Sequence, residues 1–171
     1  ADSMAWIDRC CVRRSRAAYR EAHGGDWEGL NTAALMDADA AIARGANHSE
    51  VWRLSAENRY LCALALERHG RAGVRAAMEQ ALAEIEQSLK LNPSSSKAFM
   101  ARGAMRMWHA GRSPGRAEAA KFAAGAIEDY DEALRRSPGW MQVLRFRAQA
   151  RRDMAAWLPD PAAALRQSVE D

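Results

Sequence analysis

The 171 residues suffice for one compact domain or one short array, and 49% hydrophobic with 27% charged residues excludes a disordered chain. Twenty-five basic and 22 acidic side chains, interspersed, leave a formal charge of +3, too even for a protein whose main task is nonspecific nucleic-acid binding. No apolar run approaches the ~18–20 residues of a membrane span, nothing resembles a signal peptide, and three cysteines, two of them adjacent, make no disulfide framework.

The predicted elements come in pairs. A first helix covers residues 3–23 and stops at Gly24-Gly25; Asp26 caps a second that continues to residue 44 and ends at Gly45. After the turn at Asn47-His48-Ser49, a third helix covers 50–69, ended by Gly70, and a fourth covers 72–91, closed by Asn92-Pro93. The next pair divides its length differently. Helix 97–110 ends at Gly111, and Ser113-Pro114, as N-cap and first helical residue, opens a longer helix to 136 before Ser137-Pro138-Gly139. A helix over 140–158 begins a fourth pair, whose second helix restarts at Asp160-Pro161. Ser168-Val169-Glu170-Asp171 resembles Ala126-Ile127-Glu128-Asp129, so the chain reads as a fragment whose parent continues beyond Asp171.

A nine-residue phrase recurs in the second helix of each complete pair. It starts at Ala34, Ala81 and Ala126, with steps of 81 − 34 = 47 and 126 − 81 = 45. Its order is small, aliphatic, any, acidic, apolar, acidic, any, small, aliphatic. Positions one, five and eight share a helical stripe, which makes the phrase the packing face of the second helix, with the acids Asp37/Asp39, Glu84/Glu86 and Asp129/Asp131 off that stripe.

The first helices carry their own columns. Trp6, Trp52, Phe99 and Leu144 are each followed four residues on by Cys10, Ala56, Gly103 and Ala148, and three further by Arg13, Arg59, Arg106 and Arg151. Two independent registers thus agree on a repeat of about 46 residues. Arginines opposite paired acids within one chain imply seam ion pairs that fix register more than they add stability.

Large aromatic, small residue four on, then Ala-x-x-x-apolar-x-x-small and Pro resembles the tetratricopeptide repeat. The third repeat matches best, with Phe99, Gly103, Ala126, Tyr130, Ala133 and Pro138 in place. The period is about a dozen residues longer, and the usual Leu slots hold Arg9, Ser55, Arg102 and Arg147, while the arginine column takes the Tyr slots; a two-helix solenoid of another kind stays open. The resemblance implies an all-α fold, a right-handed superhelical array of antiparallel helix hairpins. It would form a single helical-repeat domain over 1–171, with repeats at about 3–46, 47–93 and 94–138 and an incomplete one at 139–171.

Nothing points to catalysis. His23 and His69 precede helix-ending glycines and read as caps. Gly111-Arg112-Ser113-Pro114-Gly115-Arg116 is a turn that lacks a Walker ending, and no metal-ligand spacing or cofactor motif occurs. The cysteines Cys10, Cys11 and Cys62 read as small buried hydrophobes.

In tetratricopeptide-like arrays the first helices line a concave groove that takes a peptide or helix. By register, Ile7/Arg53/Met100/Arg145 and Arg14/Tyr60/Met107/Arg152 are the groove columns, and Arg, Met and Tyr suit a peptide with acidic and apolar side chains. Cys11, Glu57, Ala104 and Gln149 stand between them, where some relatives place Asn to clamp a C-terminal carboxylate, which argues against a chaperone-tail clamp. The expectation is a non-enzymatic, cytoplasmic protein-interaction scaffold without a cofactor or a membrane, with an exposed terminal repeat through which two copies would pair. A nucleic-acid-binding repeat protein is the runner-up, disfavoured by the interleaved acids.

Overall fold

The computed structural model describes residues 2–157, and every regular element among them is a helix. By contact the chain divides into two compact units, Ala1–Pro93 and Ser94–Asp171.

The first unit holds α1 (Ser3–Ala22), α2 (Glu28–Gly45), α3 (Ser49–Arg68) and α4 (Val74–Leu91). Helices α1 and α2 form one hairpin and α3 and α4 another, and α3 packs against both α1 and α2. The core at that junction is Ile7, Cys10, Ala34, Ala38, Ala41 and Val51, with Met4, Trp6, Ile42 and Leu54 packed around it. Alanine at positions one, five and eight of the phrase lets α2 approach closely, and Ile7 and Val51 fill the space between.

The second unit holds α5 (Ser96–Ala110), α6 (Arg116–Arg136) and α7 (Met141–Ala155). Here α5 and α6 form the hairpin, and α7 packs on both. Ala126, Tyr130, Ala133, Leu134, Val143 and Ala150 make the core, bordered by Phe99, Met100, Met107, Ile127, Trp140 and Leu144. The phrase has Tyr130 where the first hairpin has Ala38, and Gly103 on the facing helix makes room for it. A Cβ at Gly103 would lie 2.6 Å from the Tyr130 ring.

The first helices end as their sequence predicts. His23 and His69 are C-caps, and Gly24 and Gly70 follow in the left-handed region at φ 75° and 62°. The amide of Gly25 donates to Arg20 O at 2.8 Å and that of Arg71 to Leu66 O at 2.8 Å, the closing bond of a Schellman turn in each case.

Four boundaries differ from expectation. Asp26 does cap, accepting from Gly29 N at 3.2 Å, but α2 begins only at Glu28. Helix α4 starts at Val74, not 72, because Gly73 is left-handed at φ 86°. Ser113-Pro114 does not open α6: the Ser113 hydroxyl donates to His109 O at 3.0 Å, closing α5 instead, and α6 starts after Gly115. Helix α7 ends at Ala155. Asp160-Pro161 and Ser168 to Asp171, read as the fourth repeat's continuation, lie outside the described residues.

Candidate functional site

Each hairpin is locked by one buried acid. Asp37, Glu84 and Asp129, the first acids of the three phrases, are only 1%, 3% and 2% exposed. This corrects the placement of all the acids off the packing stripe: the first of each pair turns into the seam, because the facing helix brings donors to meet it. Asp37 accepts from Arg9 at 2.9 and 2.5 Å and from Arg13 at 2.8 Å. Asp129 accepts from Arg102 (2.6 Å at the shortest) and from Arg106 at 2.9 Å. Glu84 accepts from Arg59 and Ser55, both at 2.8 Å, and from the Gln80 amide at 3.2 Å.

The expected pairing of Arg13, Arg59 and Arg106 with the phrase acids is therefore present. The polar residues that replace leucine four positions earlier were not read as partners, yet Arg9, Ser55 and Arg102 complete each cluster. Burial, the largest influence, pushes the Glu84 and Asp129 carboxyls up, and the guanidiniums of Arg59 and Arg102 pull them back.

The second acids do a different job. Asp39 on α2 pairs with Arg59 on α3, and Asp131 on α6 accepts from Arg147 on α7 at 2.6 Å. In the α1/α2 and α5/α6 hairpins the first acid ties the hairpin together and the second ties it to the following helix, whereas Glu86 on α4 is exposed.

The proposed groove residues have scattered settings. Arg53 is buried and paired along its own helix with Glu50 and Glu57; burial pulls its guanidinium down, and the two carboxylates more than offset that. Its column neighbour Ile7 sits in the first unit's core. Tyr60 is half-buried on α3, and Met100 and Met107 pack against the second unit's core. Arg145 and Arg152 are exposed on one face of α7 with Gln149, which accepts from Arg152 at 2.6 Å. Of the set, Arg14 faces a slot shared by several helices.

That slot lies in the first unit. Arg14, Ala18 and Glu21 on α1 line one wall and Leu61, Ala65 and Arg68 on α3 the other, each an i, i+4, i+7 stripe, and Asn31 of α2 also lines it. The cavity measures about 150 Å³. Arg68 closes one end by donating to Glu21 at 2.9 and 2.8 Å, and the His69 ring joins Glu21 at 3.0 Å while stacking on Trp27 at 4.4 Å. The hydrogen bond from Arg68 holds the Glu21 carboxyl below its ordinary value. His69 is thus a C-cap like His23, but its ring turns to Glu21, whereas the His23 Nδ1 sits 2.7 Å from Tyr19 O. Sequence reasoning missed Asn31, Glu21, Leu61, Ala65 and Arg68. Asn31 left a signal, since it interrupts an apolar column.

The thiols are free, with Cys10 and Cys62 buried and Cys11 half-buried, its sulfur accepting from Asn58 at 3.3 Å. Among the described residues no group of His, Cys, Asp and Glu could hold a metal ion, and no helix is long and apolar enough to cross a membrane.

No protein-family model matches the sequence, and no curated protein does either. A solved structure described as that of MamA protein is similar over 98% of this chain and 90% of its own, at 12% identity and a TM-score of 0.40, so the helical-repeat fold stands on the hairpins described above.

Proposed function

We propose that the chain is a non-enzymatic protein-interaction module of tetratricopeptide-like character, a cytoplasmic scaffold. Its ligand is a peptide or protein segment with acidic and apolar side chains, held in a concave groove lined by first helices of the repeats. The observation that carries this is the use made of the arginines. Arg9, Arg13, Arg59, Arg102 and Arg106 are engaged by Asp37, Asp39, Glu84 and Asp129, so the seam arginines are not a ladder for phosphates. The α1/α3 slot, in contrast, combines the guanidinium of Arg14 with apolar Leu61, Ala18 and Ala65, the mixture an acidic and apolar segment needs.

Selection of peptides from a random display library on the immobilised chain tests this. The expected outcome is a consensus of acidic residues spaced among leucine-like ones, bound by the free chain and resistant to nuclease. Retention on RNA or DNA that falls steeply between about 50 and 200 mM salt, with no peptide consensus, would favour the nucleic-acid reading instead.

A further inference from the structure

Three residues before each packing phrase stands a buried position: Asn31, Met78 and Ala123, spaced 78 − 31 = 47 and 123 − 78 = 45 as the phrases are. In the second and third hairpins it is apolar. In the first it is an asparagine, 6% exposed, whose carboxamide has no hydrogen-bond partner among the described residues. Its polar atoms are not sealed in the interior either, and the residue lines the α1/α3 slot. An amide set into a packing seam needs a partner for its tip, here water or a ligand, and an apolar side chain stands at this place in the two sister hairpins.

Arg14 shares the slot. Its one hydrogen bond is long, 3.4 Å to the hydroxyl of its neighbour Ser15. The only carboxylate on the walls, that of Glu21, is occupied by Arg68 and His69. The slot therefore offers one uncommitted positive charge and one uncommitted amide.

We infer that this slot is a receptor for a single acidic side chain of a bound peptide, with the carboxylate accepting from Arg14 and from the Asn31 amide. The inference rests on the reading of α1 and α3 as a peptide-binding face and gives that face its charge-specific point. A carboxylate has two acceptor oxygens for two donors, and its charge matches the surplus of the walls; an uncharged amide would leave Arg14 without a counterion. A cavity of about 150 Å³ accommodates one side chain and no folded element, and Leu61, Ala18 and Ala65 give the methylenes of a glutamate an apolar wall.

The test is a titration of the whole ¹⁵N-labelled chain with N-acetyl-glutamate N-methylamide, whose only charge is the side-chain carboxylate, and with its glutamine counterpart. The Asn31 side-chain amide pair should shift saturably with the first and not with the second. Arg14→Gln should weaken that response about tenfold or more, the worth of a charge-assisted hydrogen bond. In Asn31→Met, which restores the apolar column, the Arg14 Nε–H resonance becomes the reporter and should show a similar loss. An Asn31 signal that moves with neither probe, or equally with both, overturns the inference and leaves water as the occupant. Peptides from the display experiment separate the two readings. If they bind and Arg14→Gln leaves their affinity unchanged, the groove stands and the slot falls. If no peptide is selected yet the glutamate probe shifts Asn31, the slot stands without the groove.

Discussion

The α1/α2 and α3/α4 hairpins bury the same charge in opposite ways. Asp37 is met by two arginines, and the larger contributor, Arg9, keeps 48% of its side chain exposed, so the surplus positive charge stays in water. Glu84 is met by one arginine and by two neutral donors, the Ser55 hydroxyl and the Gln80 amide. That arginine, Arg59, is only 5% exposed and is shared with Asp39. Near the surface a second cation is tolerated because solvent screens it; in the interior the single cation is balanced by two acids. The α5/α6 hairpin also sets two arginines, Arg102 and Arg106, on its acid, Asp129, but at 19% and 23% exposed they lie between the two extremes. An acid in the phrase thus fixes the seam, and the residue four before the column arginine decides whether a second cation joins it.

The sharpest break in this comparison comes from neutralising the acids. Glu84→Gln leaves Arg59 buried against a neutral amide and should cost about 3 kcal/mol, as removal of one partner of a buried pair does. Asp37→Asn should cost about 1 kcal/mol, because Arg9 and Arg13 can turn to solvent. Urea unfolding of both variants gives the two values. If Asp37→Asn proves the more costly, burial of the arginine is not what separates the hairpins. Replacing Ser55, Arg59 and Glu84 together with apolar residues should recover most of the loss.

Glycine substitutions compare the seams by shape instead of charge. At Gly103 an added methyl meets the ring of the buried Tyr130 at 2.6 Å, so Gly103→Ala should cost about 1–3 kcal/mol and lower the melting temperature by several degrees. At Gly45 the methyl meets the Ser3 side chain at 2.5 Å. The contact includes Ser3 Cβ at 2.6 Å, which no rotamer moves, so the first turn of α1 must shift; alanine's better helix propensity, about 1 kcal/mol, offsets part of that, and Gly45→Ala should cost less than Gly103→Ala. A melting curve for each variant decides whether the tightness lies in the ring or in the helix crossing.

The hairpins were legible in the sequence because two registers, the alanine phrase and the aromatic-small-arginine column, had to coincide for the helices to pack. The pairing of the column arginines with the phrase acids followed from their matched recurrence. What periodicity could not resolve was which acid of a pair turns inward, since a glutamate or aspartate one step off the apolar stripe can face the seam or the solvent, depending on donors from the other helix. Arg9 and Arg102 read as departures from a leucine slot, although a polar residue there is what an inward acid requires. The groove columns fared less evenly for the same reason. Arg53 has Glu50 and Glu57 at i−3 and i+4, and those local pairs occupy it. Asn31 was visible only as an exception, found by aligning the second helices three residues upstream of the phrase.

The second acids allow a gentler version of the same test. Asp39→Asn and Asp131→Asn each remove a pair between a hairpin and the following helix, and the Asp39 and Asp131 side chains are 59% and 40% exposed. Each should cost about 0.5–1 kcal/mol at low salt and less in 1 M NaCl, where the Debye length is about 3 Å. An effect that ignores salt would mean these pairs act by shape and not by charge.

The smallest signal, and the most local, comes from the thiols of the first unit. Burial pushes Cys10 on α1 up to about 12 and Cys62 on α3 up to about 11, from 9.0 in the open chain. Their folded-state values are raised, so the stabilising contribution is complete below about pH 9 and is lost as pH climbs toward 11–12. At pH 8 both are neutral and enclosed, and a thiol reagent should modify Cys11 quickly and the other two only when the protein opens. The rates then report which hairpin opens. If α1/α2 and α3/α4 can open separately, Glu84→Gln accelerates Cys62 more than Cys10, and Asp37→Asn does the reverse. Each 1.4 kcal/mol of lost local stability corresponds to about a tenfold faster reaction when closing outpaces labelling. If the two cysteines accelerate together in both variants, the first unit unfolds as one body. The contact of α3 with α1 and α2 then matters more to its cooperativity than either buried fork.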